Sequence, residues 1–146
     1  MNHSGWIDED LEHVGLFSGL SKRQLRQVSN LGTMIPGESG MVVTREGEPG
    51  SEFMILLDGT VEVRGGDRVL ATRGPGDYIG EIALLGARPR TATVVATTPL
   101  AIKVLSRGEF WTLLRELPAL SNQLHAAMND RLGELQIHYR DFALAS

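Results

Sequence analysis

Apolar residues follow two different rhythms along the chain. From about residue 7 to 32 they recur at helical spacing, with Leu11, Val14, Leu16, Phe17 and Leu20 on one face. Ser21, followed three residues later by Gln24, fits a capping box and predicts a helix over about 22–30, with Leu25 and Val28 inward. Between Gly32 and Leu105 the rhythm becomes alternating and glycine becomes dense. Met41-Val42-Val43, Phe53 to Leu57, Val61-Glu62-Val63, Val69-Leu70-Ala71, Thr91 to Ala96 and Leu100 to Leu105 read as strands. Turn signals separate them, among them the tight hairpin Gly65-Gly66-Asp67 and the turn Gly74-Pro75-Gly76-Asp77. After Leu105 the helical rhythm returns. Ser106 caps a helix whose Phe110, Trp111 and Leu114 are read as core, and Pro118 opens another. There Leu117, Leu120, Leu124, Met128, Leu132, Leu135, Tyr139 and Phe142 keep one apolar face, longer than a small domain needs to cover itself.

The pattern predicts a mainly β fold with flanking helices. Its centre is an antiparallel β-roll, jelly-roll-like (a double-stranded β-helix), with N-terminal helices and two C-terminal helices. One domain is expected over residues 1–146: a helical part at about 7–32, the roll at 33–105 and C-terminal helices at 106–142. Hydrophobic residues at 42% are enough to build a core. The net charge of −4 argues against a domain that grips nucleic-acid backbones. The chain has no cysteine, which excludes disulfides and thiolate chemistry. Its histidines, His3, His13, His125 and His138, all fall outside the β region and lack paired ligand spacing, so neither a metal nor a cofactor is expected. No Ser-His-Asp set or nucleophile elbow appears, and no catalytic residue is expected. No apolar run approaches the roughly 18 residues of a membrane span. Met1 to Gly5 shows no signal-peptide pattern either, so a cytoplasmic, membrane-free domain is expected.

The segment from Tyr78 to Val94 carries the chemistry. Glu81 to Leu85 are helix formers between Gly80 and Gly86, read as a short helix with a glycine stop. The start of such a helix has free N–H groups, and Gly80 lets an anion approach the backbone. Side chains at 90, 92, 94 and 96 share one strand face, so Arg90 heads an inward row continued by Ala92, Val94 and Ala96. A buried cation needs an anion. Pro89 fixes where Arg90 emerges. Taken singly, Glu81 also suits the helix dipole, and Arg90 could simply pair with Glu81 to close a turn.

Gly80-Glu81-Ile82-Ala83-Leu84-Leu85, followed by Pro89-Arg90-Thr91-Ala92-Thr93-Val94, resembles the phosphate-binding cassette of the cyclic nucleotide-binding domain family. The resemblance extends through Glu46-Gly47-Glu48, Ile55 to Val61 and Gly74 to Asp77, and covers about Leu11 to Leu135. It implies a regulatory sensor of cAMP or cGMP with the cassette at 79–94. Arg90 would pair with the cyclic phosphate, and Gly80 and Ala83, flanking Ile82, would offer it N–H groups. Glu81 would accept from the ribose 2′-hydroxyl. Thr91 would sit near the base and keeps both nucleotides open. Val63 and Leu70 would line the base pocket, and a residue of the last helix would cap it.

Two departures accompany the resemblance. Ile79 after Tyr78 stands where the family usually has Phe, a packing change. The sequence also carries none of the DNA-binding, channel or tandem segments of the family's effectors. The alternative is an interaction or scaffold module that keeps the roll without binding nucleotide. The long apolar stripe suggests a homodimer or effector contact through 124–142, although Arg131 and His138 interrupt any strict heptad.

Overall fold

The computed structural model describes Leu11 and residues 14–145, with side chains described as far as Gly133. The side chains of Leu135, Tyr139, Phe142, His3, His13 and His138 are therefore outside what is described. Two four-stranded antiparallel sheets form the roll. One has the order β1 (Thr33–Gly37), β8 (Leu100–Ser106), β3 (Glu52–Asp58), β6 (Tyr78–Ile79). The other has the order β2 (Val42–Thr44), β7 (Thr93–Ala96), β4 (Val61–Gly65), β5 (Arg68–Arg73). Four helices flank them among the described residues: α1 (Lys22–Ser29), α2 (Glu81–Leu85), α3 (Arg107–Glu116) and α4 (Pro118–Ala145). A 3-10 turn, Gly15–Phe17, precedes α1. This is the mainly antiparallel fold with flanking helices that the periodicity predicts. No helix among the described residues is long and apolar enough to cross a membrane.

Two cores explain the apolar run of β3. Phe53, Ile55 and Leu57 face the helices, joining Leu25, Val28, Leu84, Phe110, Leu113, Leu117, Leu120 and Leu124. Met54 and Leu56 face into the roll, against Val61, Val94, Ala96, Leu100 and Ile102. A strand buried on both faces has no reason to alternate. Phe53 stacks at 4.9 Å from Phe110, fixing α3 on the outer face of the sheet.

The predicted capping box at Ser21 forms, and the predicted cap at Ser106 proves to be a box as well. Ser21 and Gln24 bond each other's backbone N–H, and Ser106 and Glu109 do the same. Glu109 additionally accepts the Gly32 N–H at 2.6 Å, tying α3 to the start of β1. Lys103 is buried, and its Nζ donates to the Ser29 carbonyl at 3.0 Å. A cation thus meets the C-terminal end of α1, where the helix dipole favours it.

Several local expectations change. Strand β1 was not legible, because Pro36 reads against a strand; it is an edge strand, where the missing N–H costs no ladder bond. Likewise β6 is only two residues long, paired to β3 through Met54 and Ile55. The strand expected from Thr91 begins at Thr93, although Arg90, Ala92, Val94 and Ala96 are all buried as the inward row requires. Trp111, expected in the core, is 43% exposed, since Phe110 takes the inner position and packs edge-on against it at 5.5 Å.

The Ser106 and Gly32 N–H groups hold the Glu109 carboxyl below its ordinary value of 4.5. Its stabilising contribution is therefore full above that value and is lost as pH falls through the depressed folded-state value. In denaturant titrations from pH 7 to pH 3, Glu109→Gln should be less stable than the native chain at neutral pH and lose less on acidification. Parallel pH profiles for the two proteins would remove Glu109 from the account. Ser106→Ala should cost about 1 kcal/mol at either pH.

Candidate functional site

Between the second sheet and α2 lies a cavity of about 380 Å³. Gly80, Glu81, Ile82, Ala83, Arg90, Thr91, Val63 and Leu70, the residues singled out from sequence, all reach its wall. A bulge on β5 accounts for part of this lining. Val63 pairs with Ala71 but Arg64 pairs with Val69, so Leu70 is the extra residue and can line the cavity beside Ala71.

The Arg90 side chain is buried, and backbone holds it from three directions. Its own N–H donates to the Glu48 carbonyl at 2.9 Å, and its carbonyl accepts the Gly47 N–H at 2.9 Å. Its Nη2 donates to the Glu52 carbonyl at 3.0 Å and lies 3.4 Å from Glu52 Oε2. Two glycines make room for the guanidinium. A Cβ on Gly50 would sit 2.6 Å from Nε, and one on Gly80 would sit 2.7 Å from Nη1 and 2.5 Å from the Glu52 carbonyl oxygen. Gly80 also has φ +107°, a conformation that other residues rarely adopt. Burial pulls the guanidinium below its ordinary value, Glu52 and then Glu81 oppose this, and it remains a cation. Its Nη1 has no hydrogen-bond partner among the described residues.

Glu81, the first residue of α2, is fully buried. One carboxylate oxygen, Oε1, accepts from Arg131 Nη1 at 2.6 Å; the other, Oε2, is buried without a partner. The same Arg131 nitrogen donates to the Tyr78 carbonyl at 3.0 Å, and the guanidinium lies over the Tyr78 ring at 4.6 Å. Burial raises the Tyr78 phenol above its ordinary value, which Arg131 opposes and Glu81 reinforces. Arg131 is the residue that sequence reasoning missed. It read as an interruption of an apolar stripe, yet it carries α4 onto the cavity rim. The signal was present: a cation amid apolar neighbours needs a buried anion.

Gly86 ends α2 as expected, its N–H on the Ile82 carbonyl at 2.9 Å, but without a left-handed turn of its own. Gly86 keeps right-handed φ −86°, while Ala87 adopts the left-handed turn at φ +47°. Gly86 is small because a Cβ there would meet the Ile82 carbonyl at 2.8 Å. Residues 81–83 open the helix, and their N–H groups have no acceptor within it.

A cavity walled by a buried cation, a buried carboxylate and a short helix start suits a small anion that also carries a hydroxyl. The cyclic nucleotide-binding domain family matches residues 37–116, and the chain belongs to that family. The cAMP-dependent protein kinase regulatory subunit of Schizosaccharomyces pombe is 33% identical over 132 residues, covering 88% of this chain. The chain spans 32% of that protein's length, and 23–38% across four such curated relatives. A solved structure of PKAR CBD2 bound to Sp-2Cl-cAMPS superposes with a TM-score of 0.83 at 28% identity, covering 91% of this chain and 89% of that one. The regulatory subunit of a cAMP-independent protein kinase A from Trypanosoma brucei gives 0.72 at 27%, covering 84% and 47%.

Gly80→Ala should force either strain at φ +107° or displacement of Arg90, for a loss of about 1–3 kcal/mol. The urea midpoint reads this directly. A midpoint within error of the native chain would mean that the loop yields without cost.

Proposed function

We propose that the chain is a non-catalytic sensor of a 3′,5′-cyclic mononucleotide and that α4 relays occupancy of the pocket. One observation carries the reading: two buried polar atoms of opposite charge, Arg90 Nη1 and Glu81 Oε2, lack partners in the wall of one cavity. Such atoms are costly to leave unmet, by about 1–3 kcal/mol each and more for charged groups. A small rotation of each side chain toward the cavity would exchange that cost for a ligand contact. The cyclic phosphate supplies oxygens for Arg90, a charge-assisted pairing, and the N–H groups at Gly80 and Ala83 add to it. The ribose 2′-hydroxyl supplies a donor for Glu81. Val63, Leu70 and Ala71 offer apolar surface to the base, and Thr91 a hydroxyl. A cytoplasmic setting suits such a receiver.

The relay follows from Glu81 being shared. One oxygen faces the ligand's hydroxyl while the other already holds Arg131, so fixing the carboxylate fixes α4. Leu84, on the same short helix, packs into the core formed with α3 and α4. Ligand shifts α4 only so far as it prefers the arrangement with Arg131 docked. Beyond Leu124 the helix continues with half-buried Met128 and Leu132, and a second copy or an effector would meet it over 124–142.

The alternative, a roll without nucleotide, has the cAMP-independent Trypanosoma brucei relative as precedent for a changed ligand dependence. Titration calorimetry with cAMP and with cGMP decides between them. Micromolar or tighter binding of either is expected, weakened by about 2–5 kcal/mol in Arg90→Ala. No heat and no thermal stabilisation with either nucleotide would overturn the sensor reading. For the relay, hydrogen exchange across residues 118–133 should slow when nucleotide is added. Arg131→Gln should bind nucleotide but lose that protection. Exchange unchanged in the native chain would leave α4 out of the mechanism.

A further inference from the structure

We infer that Arg73 reads the base, and that the pocket prefers a 6-oxopurine nucleotide, cGMP, over cAMP. The inference rests on the nucleotide reading above and extends it to ligand choice. Among the described residues, the cavity wall carries three arginines, Arg73, Arg90 and Arg131, against one carboxylate, Glu81. Arg131 is matched to Glu81, and Arg90 has the Glu52 backbone and carboxylate together with the expected phosphate. Arg73 is the one left over. It makes no hydrogen bond or ion pair among the described residues, yet it is near enough to Tyr78 to lower that phenol's pKa.

Its position on the strand puts it at the base. Ala71 and Arg73 lie two residues apart on β5, hence on one face, with Thr72 turned outward. That face also carries the apolar surface expected to receive the purine. Arginine is a donor only. The wall's hydroxyls are those of Thr44, Tyr78 and Thr91, and Thr44 already donates to the Ala92 carbonyl at 3.1 Å. Along its N7 edge, guanine presents two acceptors, O6 and N7, which match a guanidinium in a bidentate pair. Adenine presents N7 beside an amino donor, which a guanidinium repels. Thr91 would address the opposite, 2-amino edge, so the two residues read separate features.

Titration calorimetry with cGMP, cAMP and inosine 3′,5′-cyclic monophosphate on the native chain and on Arg73→Met tests this. The inosine nucleotide keeps O6 and N7 but lacks the 2-amino group, which isolates Arg73 from Thr91. The native chain should bind cGMP roughly tenfold or more tighter than cAMP, the usual worth of one bidentate base contact. The inosine nucleotide should bind nearer to cGMP than to cAMP. Arg73→Met should weaken the two oxopurines alone, bringing the inosine nucleotide within about threefold of cAMP and leaving cGMP only the margin that Thr91 supplies. Retained cAMP binding in that variant shows that it is folded. A native preference for cAMP, or an Arg73→Met loss equal for all three, overturns the assignment while leaving the sensor intact. Absence of binding by all three overturns the sensor reading and this inference with it.

Discussion

The site depends on one buried guanidinium. Arg90 sits where a cation is expensive, and the surrounding chain is arranged to keep it there: the Glu52 carbonyl and carboxylate on one side, with Gly50 and Gly80 stripped to backbone on the other. Burying a charge costs several kcal/mol unless partners replace water. The protein replaces part of that water and leaves Nη1 unmet. That incomplete solvation is what equips the pocket to value an anion. A fully satisfied arginine would close a turn and bind nothing.

The second constraint is that the pocket and the helical layer share residues. Glu81 belongs to the cavity wall and to the ion pair with Arg131, whereas Leu84, one turn later, belongs to the helical core. The short helix α2 therefore lines the cavity with Glu81, Ile82 and Ala83 and packs Leu84 into the helical core. The double-sided apolar strand β3 makes this possible, because it serves as floor for both cores at once. α2 and α4 meet directly through the Glu81–Arg131 pair, with no chain of intermediates between them.

Local signals were legible in the sequence, and for a physical reason. The Ser21 capping box, the Ser106 cap, the hairpin at Gly65 to Asp67, the inward row from Arg90 to Ala96 and the helix opening at Pro118 are set by neighbours a few residues apart. The eight residues singled out from the sequence gather on one cavity wall because the motif that carries most of them is nearly contiguous from Gly80 to Thr91. Where local rules were ambiguous they misled. Pro36 hid an edge strand, adjacent aromatics Phe110 and Trp111 could not both face inward, and Ala87 rather than the capping Gly86 took the left-handed turn.

By itself, then, the sequence determined the element types, the cassette and the residues able to bind an anion and a hydroxyl, because propensity, capping and alternation act within a turn or a strand. Only the tertiary structure decided which of those groups remain unsatisfied and which helix answers to them. Glu81 meets Arg131 across 50 residues of chain, and Arg90 meets Glu52 across 38. Nothing in the intervening sequence encodes either distance; both follow from how the two sheets curl and where α4 comes to rest. Arg73 shows the same division. Its charge is plain in the sequence, but its lack of a counter-ion among the described residues is a property of the packed cavity.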